Sequence, residues 1–247
     1  MDAIIAAHAR RASALPAAKK KIARRPGARA AKTAPPPRRR LKREEREQQI
    51  VAEAVRYFAD VGFSGDTREL ARRLHITQPL LFRYFPSKET LIERVFQEVS
   101  TSRWSDSWAE MLADRSVPLK ARLLAFYKDY SRIILTREWV RILLYSGLRG
   151  QDLNRKYLRR VRERIYVPIL AQLREHLGLP TLAKSAPKAL EIEAVRVLNE
   201  KIFYYGVRKW VHHAPVPEDI DAVIEADVTA FLDGVPGYIA SLHGGKR

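Results

Sequence analysis

Hydrogen-bond donors and cations interleave with apolar residues at helical spacing between residues 67 and 88. Apolar positions at Leu70, Leu74 and Leu81 would pack two short helices against each other at a steep angle. The side chains facing away from that contact are Gln78, Pro79, Leu80, Arg83 and Tyr84. A helix presented in this way can enter the major groove of DNA with its N-terminal residues against base edges. The spacing is that of a helix-turn-helix, although many three-helix units share it.

The surrounding pattern predicts the helices that would position these side chains. Apolar residues recur at three- and four-residue steps in a first helix that ends at Gly62. A second helix would begin at Thr67, a good N-cap, and a turn at His75 would lead into a third helix. This third helix would be broken by Pro86, and Ser87 would cap the next one.

Beyond residue 100 the sequence predicts five more helices and no sheet. Pro and Gly residues separate the segments, and none of them alternates with a two-residue period. The predicted helices lie near residues 118–135, 137–148, 152–177, 187–213 and 218–242. The fold class is therefore all-α, with an N-terminal three-helix domain at residues 44–98 and a larger helical domain at residues 99–247.

Three short stretches resemble a known family. They are Thr-Arg-Glu-Leu-Ala at 67–71, Leu-His-Ile-Thr-Gln-Pro-Leu-Leu-Phe-Arg-Tyr-Phe at 74–85, and Ser-Lys-Glu at 87–89. With the first helix, which contains Phe58 and Gly62, they make residues 44–96 similar to the DNA-binding domain of the tetracycline-repressor (TetR) family. The later helices resemble the family only in number and length.

The resemblance implies a role for each matching residue. Arg68 and Gln78 match positions that read base edges, and their chemistry fits, because Arg donates two bonds to guanine and Gln pairs with adenine. Pro79 and Leu80 would contact thymine methyl groups. The residues expected at phosphates, which fix register rather than sequence, are Thr67, Phe82, Arg83, Tyr84 and Lys88.

Two positions depart from the family's pattern. Phe82 stands where the family generally has Tyr, so one hydroxyl-to-phosphate bond would be missing. His75 stands where Gly is common in the turn. If the backbone has a positive φ there, His is among the more tolerated residues other than Gly.

The charge is concentrated at the N-terminus. The net charge is +18, and residues 1–43 hold 14 Lys and Arg with a single acid, Asp2. The composition predicts a disordered arm and a polyanionic partner, either nucleic acid or an anionic membrane face. The arm would track DNA, or it would be a leader without function or a transit peptide. A peripheral membrane-binding adaptor, anchored by this basic tail, is the alternative function.

A second copy of the chain is an expected partner, because one short helix reads too few bases. The resemblance implies that the last two long helices form the dimer. The predicted interface residues are Val195, Leu198, Ile202, Tyr205, Ile224 and Phe231. Packing of these apolar stripes within the monomer remains the alternative.

A small-molecule effector is the other partner that the resemblance implies. Aromatic residues are dense in the larger domain, although such residues are also ordinary core. The predicted pocket residues are Tyr127, Trp139, Arg141, Tyr145, Tyr166 and Asn199. A basic domain would admit an acidic ligand.

Catalysis has little support in the sequence. The absence of cysteine excludes thiolate chemistry, and the six His residues are scattered, so we expect no catalytic residue, no metal site and no cofactor. No apolar run is long enough for a transmembrane helix. The resemblance implies a cytoplasmic, nucleoid-associated repressor that binds a palindromic operator in double-stranded DNA and is released by its effector.

Overall fold

The computed structural model describes residues 42–100, 102–149 and 152–244, and these residues form helices and no strands. The predicted all-α fold class is confirmed. The predicted basic arm lies outside the described residues except for Lys42 and Arg43. The helices are α1 (Arg43–Val61), α2 (Thr67–Arg73), α3 (Gln78–Tyr84), α4 (Lys88–Ser100), α5 (Ser107–Ala113), α6 (Leu119–Ile134), α7 (Arg137–Leu148), α8 (Asp152–Val161), α9 (Val167–His176), α10 (Ala189–Trp210) and α11 (Ile220–Leu242).

Helix α1 packs against α4 and α7 through the apolar stripe that the sequence predicts. Ile50, Ala54 and Phe58 are fully buried on this stripe. The helix ends at Gly62, whose φ of 75° lies in the left-handed region that favours glycine. A Cβ atom at Gly62 would come within 3.1 Å of the Tyr145 ring, so the glycine also allows α7 to approach closely.

Helix α5 was not predicted from the sequence. Its seven residues are too few for a helix that is stable on its own propensity. Trp108 and Leu112 are buried, and the Trp108 Nε1–H donates to the Asp129 carboxylate of α6 at 2.7 Å. Packing on α6 therefore stabilises α5.

The predicted helix at 152–177 is interrupted by a π-helical segment, Arg162–Tyr166, which joins α8 to α9. Pro168 follows this segment in the first turn of α9. Proline has no N–H to donate, and its ring would crowd the carbonyl of Arg164 four residues earlier. The wider π turn accommodates this conflict without ending the helix.

Arg141 of α7 joins the ends of two other helices. Its guanidinium donates to the Ala59 and Trp210 carbonyls, which lie at the C-terminal ends of α1 and α10, and the Trp210 bond is 3.1 Å long. It also donates to the Tyr145 hydroxyl at 2.8 Å. Carbonyls at helix ends lack intrahelical partners, so one cation satisfies groups from both helices. The boundary between two domains that the sequence predicts near residue 98 stays a prediction. The described helices on both sides of it share one continuous hydrophobic core.

A buried ion pair joins α9 to α10. Arg174 of α9 and Glu191 of α10 are both 0% exposed, and Nε of Arg174 lies 2.8 Å from Oε1 of Glu191. The same carboxylate accepts from the Lys188 N–H at 2.7 Å and lies 3.0 Å from Nε2 of His243. The pair thus holds the loop before α10 and the end of α11 in place.

No described helix has the length and apolar character needed to cross a membrane.

Candidate nucleic-acid interface

Asp66 fixes the start of α2. Its backbone is extended (φ −77°, ψ 128°), and its carboxylate accepts from the Arg68 N–H at 2.8 Å. The prediction that Thr67 caps this helix is therefore wrong by one residue, because Asp66 is an equally good cap and precedes it. The predicted cap of α4 is confirmed, since Ser87 Oγ accepts from the Thr90 N–H at 3.1 Å.

Thr67 and Gln78 hydrogen-bond each other. The Gln78 Nε2 donates to the Thr67 Oγ1 at 2.8 Å, which ties the first turn of α3 to the first turn of α2. Thr67 is only 8% exposed. Sequence reasoning assigned both residues to DNA and missed this bond, because helical spacing does not report contacts between helices. Their predicted DNA contacts stay predictions.

The turn between α2 and α3 has a left-handed backbone at His75, the conformation that glycine adopts most readily. His75 has a φ of 53°, in the left-handed region, and its N–H donates to the Arg72 carbonyl at 3.0 Å. The Ile76 N–H donates to the Ala71 carbonyl at 3.0 Å. These bonds set the angle at which α3 leaves α2.

The predicted DNA-contacting residues differ in exposure. Leu81 is the one buried residue of α3. Arg68, Pro79 and Arg83 are exposed. The half-buried ones are Gln78, Leu80, Phe82, Tyr84 and Lys88. Tyr84 packs against the core, so the expectation that it points away from the core is wrong, because a ring at the end of so short a helix meets its neighbours.

The cations of this region fall into two groups. Arg72 pairs with Glu69 at 2.7 Å on the exposed side of α2. Arg68, Arg83 and Lys88 form no ion pair with any residue that the structure describes. The second group is the one that the sequence places against DNA.

Lys88 lies in an electropositive setting. Burial lowers its pKa, and the Arg149 cation acts in the same direction, while Glu89 and Asp66 oppose the change only in part. Arg149 caps α7 and its guanidinium donates to the Phe63 carbonyl at 3.4 Å. The Arg149 charge therefore acts on Lys88 at the start of α4, and an anion bound there would be stabilised by both cations.

A cavity of about 490 Å³ lies in the larger helical part of the chain. Trp139, Tyr166 and Asn199 line it, as predicted for a pocket. The other three predicted pocket residues lie elsewhere. Tyr127 is fully buried in the core, and Arg141 and Tyr145 lie at the end of α1, where their polar groups bind each other and the backbone.

The dimer interface stays a prediction, but most of the residues chosen for it have little free surface in the single chain. Tyr205 alone among them is half-buried. The others are buried within the single chain: Val195, Leu198, Ile202, Ile224 and Phe231. Side chains that already pack against the monomer's own helices have no surface left for a partner. The predicted alternative, packing within the monomer, holds for these stripes.

Comparison with known sequences points to one family. Residues 50–95 match the model of the family described as "Bacterial regulatory proteins, tetR family". The tetracycline repressor protein class C of Escherichia coli is 32% identical over 94 residues, which cover 35% of this chain and 42% of that protein. The chain thus spans less than half of that relative's length.

Solved structures share the fold over most of the chain. A tetR-family transcriptional regulator from Streptomyces coelicolor has a TM-score of 0.55 at 23% identity, covering 80% of this chain and 85% of its own. A TetR-like transcriptional regulator from Rhodococcus sp. RHA1 has a TM-score of 0.59 at 19% identity, covering 79% and 100%. At these identities the likeness is one of fold. Residues 50–95 therefore match the DNA-binding domain of the tetR family of bacterial regulatory proteins, and the chain shares its fold with solved structures that carry that family's name.

Proposed function

We propose that the protein is a sequence-specific DNA-binding transcriptional regulator that acts as a homodimer and represses until a small-molecule effector releases it. The observation that carries the proposal is the group of cations on α2, α3 and α4, Arg68, Arg83 and Lys88, which form no ion pair with any described residue. Arg83 lies on the recognition helix α3 itself, and Arg68 and Lys88 lie on the helices before and after it. A polyanion with a groove as wide as an α-helix fits both features.

The bond between Thr67 and Gln78 supports a reading role for Gln78. An amide presents two N–H donors and an acceptor oxygen. One donor is used on Thr67, and this leaves the second donor and Oε1 for the paired acceptor and donor of adenine. The bond fixes the amide before DNA arrives, which lowers the entropy lost on binding.

A dimer is proposed through the outward side of α11, in place of the buried stripes. Ala222, Ala226, Ala230 and Gly234 are exposed and follow one another at four-residue steps along one face. A Cβ atom at Gly234 would meet nothing within 4 Å in the single chain, so this glycine serves no packing purpose there. Small residues on one face allow a second helix to approach closely, and a two-fold pair of chains matches a palindromic operator.

Helix α7 supports the proposed effector response. It lines the cavity through Trp139 and Leu143, and its Arg141 holds the C-terminal ends of α1 and α10. A ligand that fits the cavity better in one position of α7 shifts the population toward the matching position of α1. When α1 moves in both chains of the dimer, the distance between the two recognition helices changes, and the dimer is released from DNA.

Selection of duplexes from a random library by the full chain tests the proposal. We expect enrichment of an inverted repeat whose half-sites lie about one helical turn, about 10 bp, apart. A pool that stays random after repeated rounds would show that the helix-turn-helix does not read sequence. Enrichment of a single half-site would overturn the dimer.

A further inference from the structure

Six of the fifteen residues that line the cavity described above are aromatic. Helices α6, α7, α8 and α10 and the π-helical segment contribute its lining. The aromatic lining residues are Tyr130, Trp139, Tyr157, Tyr166, Phe203 and Tyr204. Trp139 meets both Tyr157 and Phe203 edge-to-face, with ring centroids 5.4 Å apart in each pair. The cavity volume of about 490 Å³ lies in the range of small-molecule sites. Rings fixed in this way favour a flat aromatic guest.

One polar group in the cavity wall lacks a partner. Asn199 is 8% exposed, and its buried Oδ1 accepts no hydrogen bond from any described residue. The Asn199 amide acts on the Tyr166 phenol in the direction that lowers the pKa of that phenol, against the larger effect of burial, which raises it. A buried acceptor without a donor costs free energy that a ligand donor would recover. Asn154, also in the lining, has an Oδ1 in the same condition.

The lining offers no cation to an anionic ligand. None of its described residues is Lys, Arg or His. Burial raises the pKa of the Tyr130, Tyr157 and Tyr166 phenols, so these groups stay uncharged at neutral pH. A carboxylate placed here would lose its hydration without gaining a cation.

The lining carries little charge of its own. Glu200, the one charged side chain among the described lining residues, is exposed and pairs with Arg196 at 3.2 Å. The cavity is therefore close to electrically neutral, although the whole chain carries +18. The net charge of the chain therefore does not favour an acidic ligand in this cavity.

We propose that the cavity binds an uncharged, planar aromatic molecule that donates a hydrogen bond to Oδ1 of Asn199, and that it rejects carboxylates. The regulatory meaning of this binding rests on the proposed function, but the binding itself does not. The basic surface selects DNA, whereas the cavity selects a neutral ring with a hydroxyl or amino group.

Isothermal titration of the full chain with three matched probes tests the proposal. The probes are 2-naphthol, 2-methoxynaphthalene, which keeps the rings but lacks the donor, and 2-naphthoate, which adds a negative charge. We expect 2-naphthol to bind about tenfold more tightly than the ether, and the carboxylate to bind more weakly than both. Asn199→Leu, of similar size, should weaken 2-naphthol about tenfold and leave the ether unchanged.

Tyr127→Phe is the matched control. It removes another buried oxygen that has no hydrogen-bond partner among the described residues, from a ring outside the cavity, and should change none of the three affinities. Equal binding of 2-naphthol and its ether, tighter binding of 2-naphthoate, or no binding by any probe to the wild-type chain would each overturn the proposal. Because the titrations contain no DNA, these outcomes leave the proposed DNA binding standing. Failure to prefer any DNA sequence would overturn that function alone.

Discussion

Arg68 and Lys88 place two kinds of cation near the recognition helix. A guanidinium has a rigid pair of donors that matches O6 and N7 of guanine, whereas an ammonium acts as a point charge on phosphate. Arg68 is exposed and Lys88 is half-buried. Removing each charge should therefore have a different effect on specificity.

Arg68→Ala should cost about 1–3 kcal/mol on the preferred duplex and relax specificity at one base pair. Lys88→Ala should weaken preferred and scrambled duplexes by the same factor, because phosphates are identical in both. Fluorescence anisotropy at one fixed salt concentration measures the four affinities. Arg72→Ala, which removes an exposed Arg already paired with Glu69, should change none of them by more than about twofold. Uniform loss in both variants would contradict the division into reading and positioning residues.

At the scale of elements, the ion pair between Arg174 and Glu191 connects α9, α10 and the end of α11. Burial alone would raise the pKa of Glu191, but hydrogen bonds from Arg174, the Lys188 N–H and His243 outweigh it and hold the pKa at about 2. The pKa in the unfolded chain is near the ordinary 4.5. Since folding lowers the pKa, the pair's contribution to stability is present above about pH 4.5 and is lost as the pH falls toward 2.

Glu191→Gln should lower the free energy of unfolding by about 3 kcal/mol at pH 7, because the variant leaves Arg174 buried without a counter-charge. The difference from the wild type should shrink at pH 3. Urea unfolding at the two pH values measures it. Glu193→Gln, which breaks the half-exposed pair with Arg196, should cost less than about 1 kcal/mol at either pH. A Glu191 effect that is equal at pH 7 and pH 3 would rule out the lowered pKa.

Local signals in the sequence predict the short helices and their order well. Gly62, Pro86 and Ser87 mark helix ends that the structure confirms, because a cap or a break acts within a few residues. The Thr67–Gln78 bond and α5 were not predicted, since each depends on contacts between elements. The π turn before Pro168 follows from a local conflict, but propensity rules do not say how a helix absorbs it.

At the scale of the whole molecule, the apolar character of α10 explains why the sequence assigned buried side chains to the dimer face. Val197 and Tyr204 are 59% and 53% exposed, while Val195 and Ile202 of the same helix are fully buried. Apolar residues on every side give no periodic signal, so the sequence does not indicate which stripe faces the core. For the same reason the sequence does not distinguish Trp139, Tyr166 and Asn199, which line the cavity, from the other predicted pocket residues, which lie outside it.

Ala230→Arg should prevent association of two chains, because it places a long cation in the middle of the small-residue face of α11. Ala230 is exposed, and Arg forms helices readily, so the monomer should keep its fold. Sedimentation equilibrium should give twice 28.4 kDa for the wild type and 28.4 kDa for the variant. Ala121→Arg, on an exposed position of α6, is the matched control and should remain dimeric. A variant that stays dimeric would place the interface elsewhere.

The most direct test of the central claim, that α3 reads a DNA sequence, is fluorescence anisotropy of the full chain across a salt series. The fragment upstream of the protein's own gene is compared with a scrambled duplex of equal length. The account predicts a preference of at least about a hundredfold for the native fragment at physiological salt. Equal affinities that fall together as salt rises would contradict it, because the basic charge would then bind DNA without any sequence being read.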